Sequence, residues 1–197
     1  MSDNFLKEHA VYQIYPISFK DGNGDGKGDL KGIIEKLDYL CDIGIKTIWL
    51  SPIYRSPMFD MGYDISDYYD INPMFGTMDD FNALMEETKK RGMKVIMDLV
   101  VNHTSDEHPW FKEALKDKNS KYRNYYIFKE GKKDKDGKDL PPNNWQSNFT
   151  GSAWEKVVGE DNIYYLHLFH KKQPDLNWHN PEVLEEVEKI IAFWMDK

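Results

Sequence analysis

Two stretches decide the fold: GIKTIWLSPI (44–53) and GMKVIMDLVV (92–101). Each opens on a glycine, passes one apolar residue and one lysine, and enters a run of apolar and β-branched residues. Each also follows a helical pattern. Leu30, Ile33, Ile34, Leu37, Leu40 and Cys41 recur at helical spacing before the first, and Phe81, Leu84 and Met85 share one face of residues 78–90 before the second. Gly44 and Gly92 then sit where a helix ends in left-handed backbone. Near-continuous apolar strands alternating with helices predict a parallel sheet covered on both faces. Right-handed crossovers place the C-terminal ends of all its strands on one rim. The expected strands are residues 11–19, 47–53 and 94–101.

After His103 the repeat breaks, and residues 104–170 read as an inserted subdomain. Within it the charged run 129–139 is expected to be a solvated loop, and residues 163–169 alternate like a strand. Asn180 and Pro181 suit a helix N-cap and first turn. Val183, Leu184, Val187, Ile190, Ile191, Trp194 and Met195 then line one helical face. The expected division is 1–103 for three strands and two helices of a barrel, 104–170 for the insertion, and 171–197 for a return segment and third barrel helix. A closed (β/α)8 TIM barrel needs eight strands. Three strands, with a final helix that no strand follows, read as the N-terminal part of one. The expected fold class is α/β, with a subdomain inserted after the third strand.

The composition narrows the function. The 197 residues carry 34 acidic against 26 basic side chains, a net charge of −8, which disfavours a nucleic-acid partner. No run approaches the roughly 18 apolar residues of a membrane helix, and residues 1–10 lack an apolar signal core. The one cysteine, Cys41, is expected to be buried, and a chain without internal disulfides suits a reducing cytoplasm.

Four segments could carry chemistry. Asp21, Asn23, Asp25, Lys27 and Asp29 alternate through a glycine-rich loop, with Gly26 sixth as in a calcium loop and Lys27 offering its carbonyl. Gly32 stands twelfth, where an EF-hand needs glutamate. The loop is therefore either a calcium-type site outside the EF-hand class, magnesium being less suited, or a turn rich in Asp and Gly for backbone reasons. Asp60 and Tyr63, around Gly62, offer a carboxylate for a sugar hydroxyl pair and a flat face for a sugar ring, or form a plain surface turn. Asp98, among apolar neighbours, needs a cationic or hydrogen-bonding partner. His103 lies at the third strand's C-terminal end, where barrel enzymes keep their sites, though lone histidines are also structural. In QPDLNW (173–178), Asp175 and Asn177 read as turn caps, and Trp145, Trp154 and Trp178 as packing residues.

Together YQIYP (12–16), DGNGDGKGDL (21–30), GYDISDY (62–68), DLVVNH (98–103) and QPDLNW resemble the start of glycoside hydrolase family 13, the α-amylase family. The likeness is greatest to its oligo-1,6-glucosidase and α-glucosidase branch. It implies a retaining hydrolase acting on terminal α-1,6 or α-1,4 glucosidic bonds of short oligosaccharides. Trehalose-phosphate hydrolase, dextran glucosidase and sucrose isomerase are neighbouring alternatives. A non-catalytic relative or a calcium-binding module is the alternative outside enzymes. By resemblance Asp60, Tyr63 and His103 hold the −1 glucosyl unit, Asp98 supports it and pairs with a later arginine, Asn102 supports the site, and Asp21, Asn23, Asp25, Lys27 and Asp29 hold a structural Ca2+. The family's nucleophile and acid/base follow its fourth and fifth strands, so no catalytic carboxylate is expected here and the chain alone should be inactive. Two departures stand out: Met61 where the branch usually has asparagine, and Thr150 where glycine is common.

Overall fold

The structure, a computed structural model, describes residues 9–197; most of the polar opening segment lies outside them. Two compact units emerge. One comprises the chain up to Arg55, Tyr68–Leu99 and Trp194–Lys197, and the other Ser56–Asp67 and Val100–Phe193. These units do not follow the expected division at 103 and 170. Residues 56–67 and most of 171–197 group with the insertion, because their hydrogen bonds and apolar contacts lie there. Ser105 N–H donates to the Ile65 carbonyl at 2.8 Å, and Val183 shares a core cluster with Phe111, Ala114 and Tyr125.

The first unit runs β1 (Val11–Ile14), α1 (Pro16–Phe19), α2 (Leu30–Glu35), α3 (Leu37–Asp42), β2 (Thr47–Leu50), β3 (Tyr54–Arg55), β4 (Asp67–Ile71, from Tyr68 on), α4 (Met78–Lys90) and β5 (Lys94–Met97). Its sheet is parallel in the order β1-β2-β5, with Ile14 opposite Leu50 and Leu50 opposite Met97. Gly44 and Gly92 take φ of 88° and 64°, the left-handed turn their positions predicted. Each strand is shorter than expected. Pro16 ends the first, since its ring fixes φ and removes a donor, and it opens a short helix instead. Pro52 limits the second in the same way. The third stops at Met97, where its partner among the described residues, β2, stops at Leu50. The expected single helix over 30–41 is two, divided at Lys36, whose N–H bonds to Ile33 three residues back at 3.0 Å.

The second unit contains α5 (Pro109–Lys116), a 3-10 turn (Lys121–Tyr125), β6 (Phe128–Glu130), β7 (Lys132–Lys133), β8 (Asp139–Leu140), β9 (Trp154–Lys156), β10 (Ile163–Leu166) and α6 (Pro181–Met195, as far as Phe193). β6, β10 and β9 form an antiparallel sheet. The charged run is not simply a loop: β7 and β8 pair as a hairpin, and Asp139 binds both Lys133 and Lys156. Glu160 is buried, yet Arg123 grips both its oxygens at 2.8 Å, as a buried carboxylate requires. Of the tryptophans, Trp154 is buried, whereas Trp145 and Trp178 are about half exposed. Cys41 is half-buried rather than buried. Among the described residues no helix is long and apolar enough to cross a membrane.

Candidate functional site

Asp64 is fully buried and accepts three hydrogen bonds from its own loop. Ser56 Oγ donates at 3.0 Å, Phe59 N–H at 3.0 Å and Asp60 N–H at 2.9 Å. These bonds curl residues 56–64 around one carboxylate. They fix Asp60, and the Tyr63 N–H then closes the turn onto the Asp60 carbonyl at 2.9 Å.

His103, also buried, meets this loop. Its Nε2 lies 3.1 Å from the Tyr63 carbonyl, and its Nδ1 lies 3.2 Å from the Asn102 amide nitrogen. A carbonyl only accepts, so the ring proton sits on Nε2 and Nδ1 accepts from Asn102. Burial lowers the His103 pKa below the ordinary value, against the opposing pull of the Tyr63 carbonyl and of Asp60 and Asp64. The ring is therefore neutral near pH 7.

Gln173 joins these parts. It is fully buried. Its Oε1 accepts from His170 N–H at 2.9 Å, its Nε2 donates to Asp60 Oδ2 at 2.8 Å, and the same nitrogen lies 3.1 Å from His103 Nε2. With its proton on Nε2, His103 bonds to Tyr63 and Asn102 and only packs against the Gln173 amide, which bonds to Asp60, so Asp60, Tyr63, Asn102 and His103 lie together, Tyr63 through its backbone. Two residues of this group escaped sequence reasoning: Asp64, which ends GYD, and Gln173, which opens QPDLNW. Asp175 is no simple turn cap. It is buried, bridges to His103 along the backbone, and accepts from Leu168 N–H at 2.9 Å. Burial pushes its pKa up to about 6.

Asp98 belongs to the first unit and is half-buried. The hydrogen-bonding partner it needs there is Trp49, whose indole donates to Oδ1 at 2.6 Å. Tyr54 O–H donates to the Asp98 carbonyl at 2.7 Å.

The glycine-rich loop folds on its own side chains. Asp21 accepts from the N–H groups of Asn23, Gly24 and Gly26 at 3.0, 2.6 and 2.8 Å, which lowers its pKa. Asn23 accepts from Asp25, and Asp25 from Lys27, at 2.9 and 2.8 Å. Asp29 is buried and caps α2 through Gly32 N–H at 2.7 Å. A Cβ on Gly32 would stand 1.8 Å from the Lys20 carbonyl, which excludes a twelfth-position glutamate. Among the described residues no three His, Cys, Asp or Glu side chains converge as a metal site. The available donors are mixed carboxylate, amide and carbonyl oxygens. That set suits a hard cation such as Ca2+ and no softer metal.

The first unit is thus a parallel strand–helix unit, and the second holds a polar network of carboxylate, imidazole and amide. The comparisons make this specific: the α-amylase catalytic-domain model matches residues 13–197, and the chain belongs to that family. It is 60% identical to an oligo-1,6-glucosidase of Parageobacillus thermoglucosidasius, over 97% of this chain and 33% of the relative. It is 52% identical to an α-glucosidase of Schizosaccharomyces pombe, over 98% of this chain and 33% of that protein. Among solved structures, a trehalose-6-phosphate hydrolase of Bacillus licheniformis aligns with a TM-score of 0.92 at 55% identity, over 98% of this chain and 34% of that one. An isomaltulose synthase of Klebsiella sp. LX3 aligns with a TM-score of 0.93 at 52% identity, over 100% and 34%. The fold is accordingly that of the N-terminal part of a (β/α)8 barrel. The chain spans about a third of the length of the curated relatives it matches.

Two buried groups give opposite pH signatures. The Asp175 carboxyl holds its proton to about 6, whereas in the unfolded chain it loses it near 3.9. Stability therefore falls as pH rises through that window. Asp175→Asn should raise stability at pH 8 by roughly 1–3 kcal/mol and remove this slope. His108, buried and pushed down to about 3, acts the other way. Its contribution is present above about 6.5 and lost as pH falls, and His108→Gln should flatten that loss. Urea midpoints across pH 3–8 check both.

Both departures from the family pattern sit in left-handed backbone: Met61 has φ 50° and Thr150 φ 76°. Side chains branched at Cβ or bulky there are strained by about 1–2 kcal/mol, and Asn or Gly relieves it. Met61→Asn and Thr150→Gly should each raise the melting temperature, read by circular dichroism; unchanged or lower values would refute the strain.

Proposed function

We propose that the whole protein is a retaining glycoside hydrolase that cleaves terminal α-glucosidic bonds, α-1,6 or α-1,4, in short oligosaccharides. The observation that carries this reading is the Asp60–Gln173–His103–Tyr63 network, on a chain 60% identical to an oligo-1,6-glucosidase. Asp60 supplies a carboxylate acceptor for the hydroxyls of the terminal glucose, and the neutral His103 ring, its Nε2 proton held by the Tyr63 carbonyl, stands beside it. Gln173 holds Asp60 in place, and Asn102 holds the His103 tautomer. In this reading these groups position the sugar. Positioning of this kind lowers the barrier only when a nucleophile and an acid/base stand on either side of the bond.

In this reading no carboxylate of the network takes those two roles. Asp64 is enclosed by three donors, and Asp60 is held by the Gln173 amide as a sugar-binding group. The 197-residue chain by itself should therefore leave a chromogenic α-glucoside unhydrolysed above the blank, while glucose shifts the NMR signals of His103 and Tyr63. Turnover by the chain that Asp60→Ala abolishes would overturn the assignment of roles. Absence of any shift at high glucose would overturn the sugar site itself. The likeness to a trehalose-6-phosphate hydrolase and an isomaltulose synthase favours related substrates that keep the terminal glucose and differ in the aglycone. We assign the protein to the cytoplasm on its single cysteine, Cys41, which can form no internal disulfide in this chain.

We infer further that the loop of Asp21, Asn23, Asp25, Lys27 and Asp29 holds one structural Ca2+. The alternate residues supply hard oxygen donors and the left-handed Gly24 and Gly26 turn the loop. Bound only by the native state, the ion stabilises it by mass action. Chelation should lower the melting temperature, excess calcium should restore it, and Asp25→Ala should abolish the response. No response, with no calcium by elemental analysis, would remove the ion from the account.

A further inference from the structure

We propose that the second unit carries an additional binding surface for a neutral oligosaccharide, with Trp145 as its platform. Trp145 is 54% exposed, an unusual setting for so large an apolar ring, yet it is firmly mounted. Its N–H donates to Asn143 Oδ1 at 3.0 Å, and its carbonyl accepts from Ala153 N–H at 2.9 Å. Its ring stacks over Trp154 at 6.3 Å between centroids and 24° between planes. Trp154 is buried, and its indole N–H donates to the same Asn143 oxygen at 2.8 Å.

Beside the ring opens a cleft of about 610 Å³, whose polar lining comes from Asn143, Asn144, Gln146, Ser152 and Lys132. Three side-chain amides and a hydroxyl offer donors and acceptors without net charge. Lys132 is the one charged side chain of the lining, and no acid faces it there. A rigid aromatic face takes the C–H face of a sugar ring, and neutral amides take its hydroxyls. One lysine is a poor site for a phosphorylated ligand, a lining without carboxylates is a poor site for a basic peptide, and a chain of charge −8 repels polyanions. The cleft shares no residue with the Asp60–His103 network. Its ligand class follows from its own chemistry, independently of the hydrolase reading.

The test is a titration of the 197-residue chain with maltotriose and isomaltotriose, followed by tryptophan fluorescence and by retardation in gels containing dextran or amylose. We expect binding of at least one trisaccharide that persists in Asp60→Ala, falls at least tenfold in Trp145→Ala, and weakens several-fold in Asn144→Ala and Gln146→Ala. Trp145→Phe, which keeps a flat ring, should retain part of it. It also decides the matter, with the amide variants, if Trp145→Ala fails to fold. Absence of binding by the intact chain, or binding that none of the cleft variants alters, would overturn the proposal. So would self-association that Trp145→Ala abolishes, which would make the surface a contact between copies. Binding at Trp145 that persists while glucose leaves His103 unshifted would support this surface and sink the sugar site at Asp60 alone.

Discussion

A carboxylate sealed from water must find its hydrogen bonds inside the protein, and Asp64 finds three within its own loop. Three donors from Ser56, Phe59 and Asp60 converge on it. Removing them would leave a buried charge uncompensated, at a cost of several kcal/mol. The loop has little freedom as a result. Asp60 is held by its own N–H, and the Tyr63 carbonyl faces His103. Asp60 and Tyr63, the candidate site residues of this loop, rest on the buried Asp64 carboxylate. Gln173 extends the same logic across 113 positions of sequence: it is a buried amide whose orientation is fixed by His170 on one end and read out by Asp60 on the other.

The glycine-rich loop obeys a similar constraint by different means. Asp25 is exposed, Asp21 half-buried and Asp29 buried, and the first two order the backbone through short-range bonds from the loop's N–H groups. Gly32 is there because the Lys20 carbonyl occupies the space a side chain would need. The missing twelfth-position glutamate is thus a packing requirement of this strand–helix setting. It carries no information against a cation.

Met61 and Thr150 show how a pattern carries physics before the physics is visible. Read as sequence, they are substitutions where asparagine and glycine are usual. Read as structure, both have positive φ, the one backbone region where those two residues differ sharply from the rest. Trp145 teaches the opposite lesson. Sequence grouped it with Trp154 and Trp178 as packing residues, because a tryptophan carries no mark of which way its ring will face. Exposure is set by the neighbours that β9 and the 143–153 turn bring up, and these separate a buried Trp154 from an exposed Trp145.

The sequence by itself determined the alternation of strand and helix, the left-handed glycines at 44 and 92, the parallel sheet, and the segments that hold Asp60, Tyr63, Asn102 and His103. These follow from periodicity and from local backbone preference, which neighbours in the chain impose on one another. It could not set where the strands end, since an edge strand stops where its partner stops. It could not place residues 56–67 and 171–193 with the insertion, because apolar faces choose their companions only after collapse. Nor could it show that Gln173 and Asp64 hold the site together. A buried hydrogen bond joins residues by their position in space, and only the tertiary structure brings those positions within three ångströms of each other.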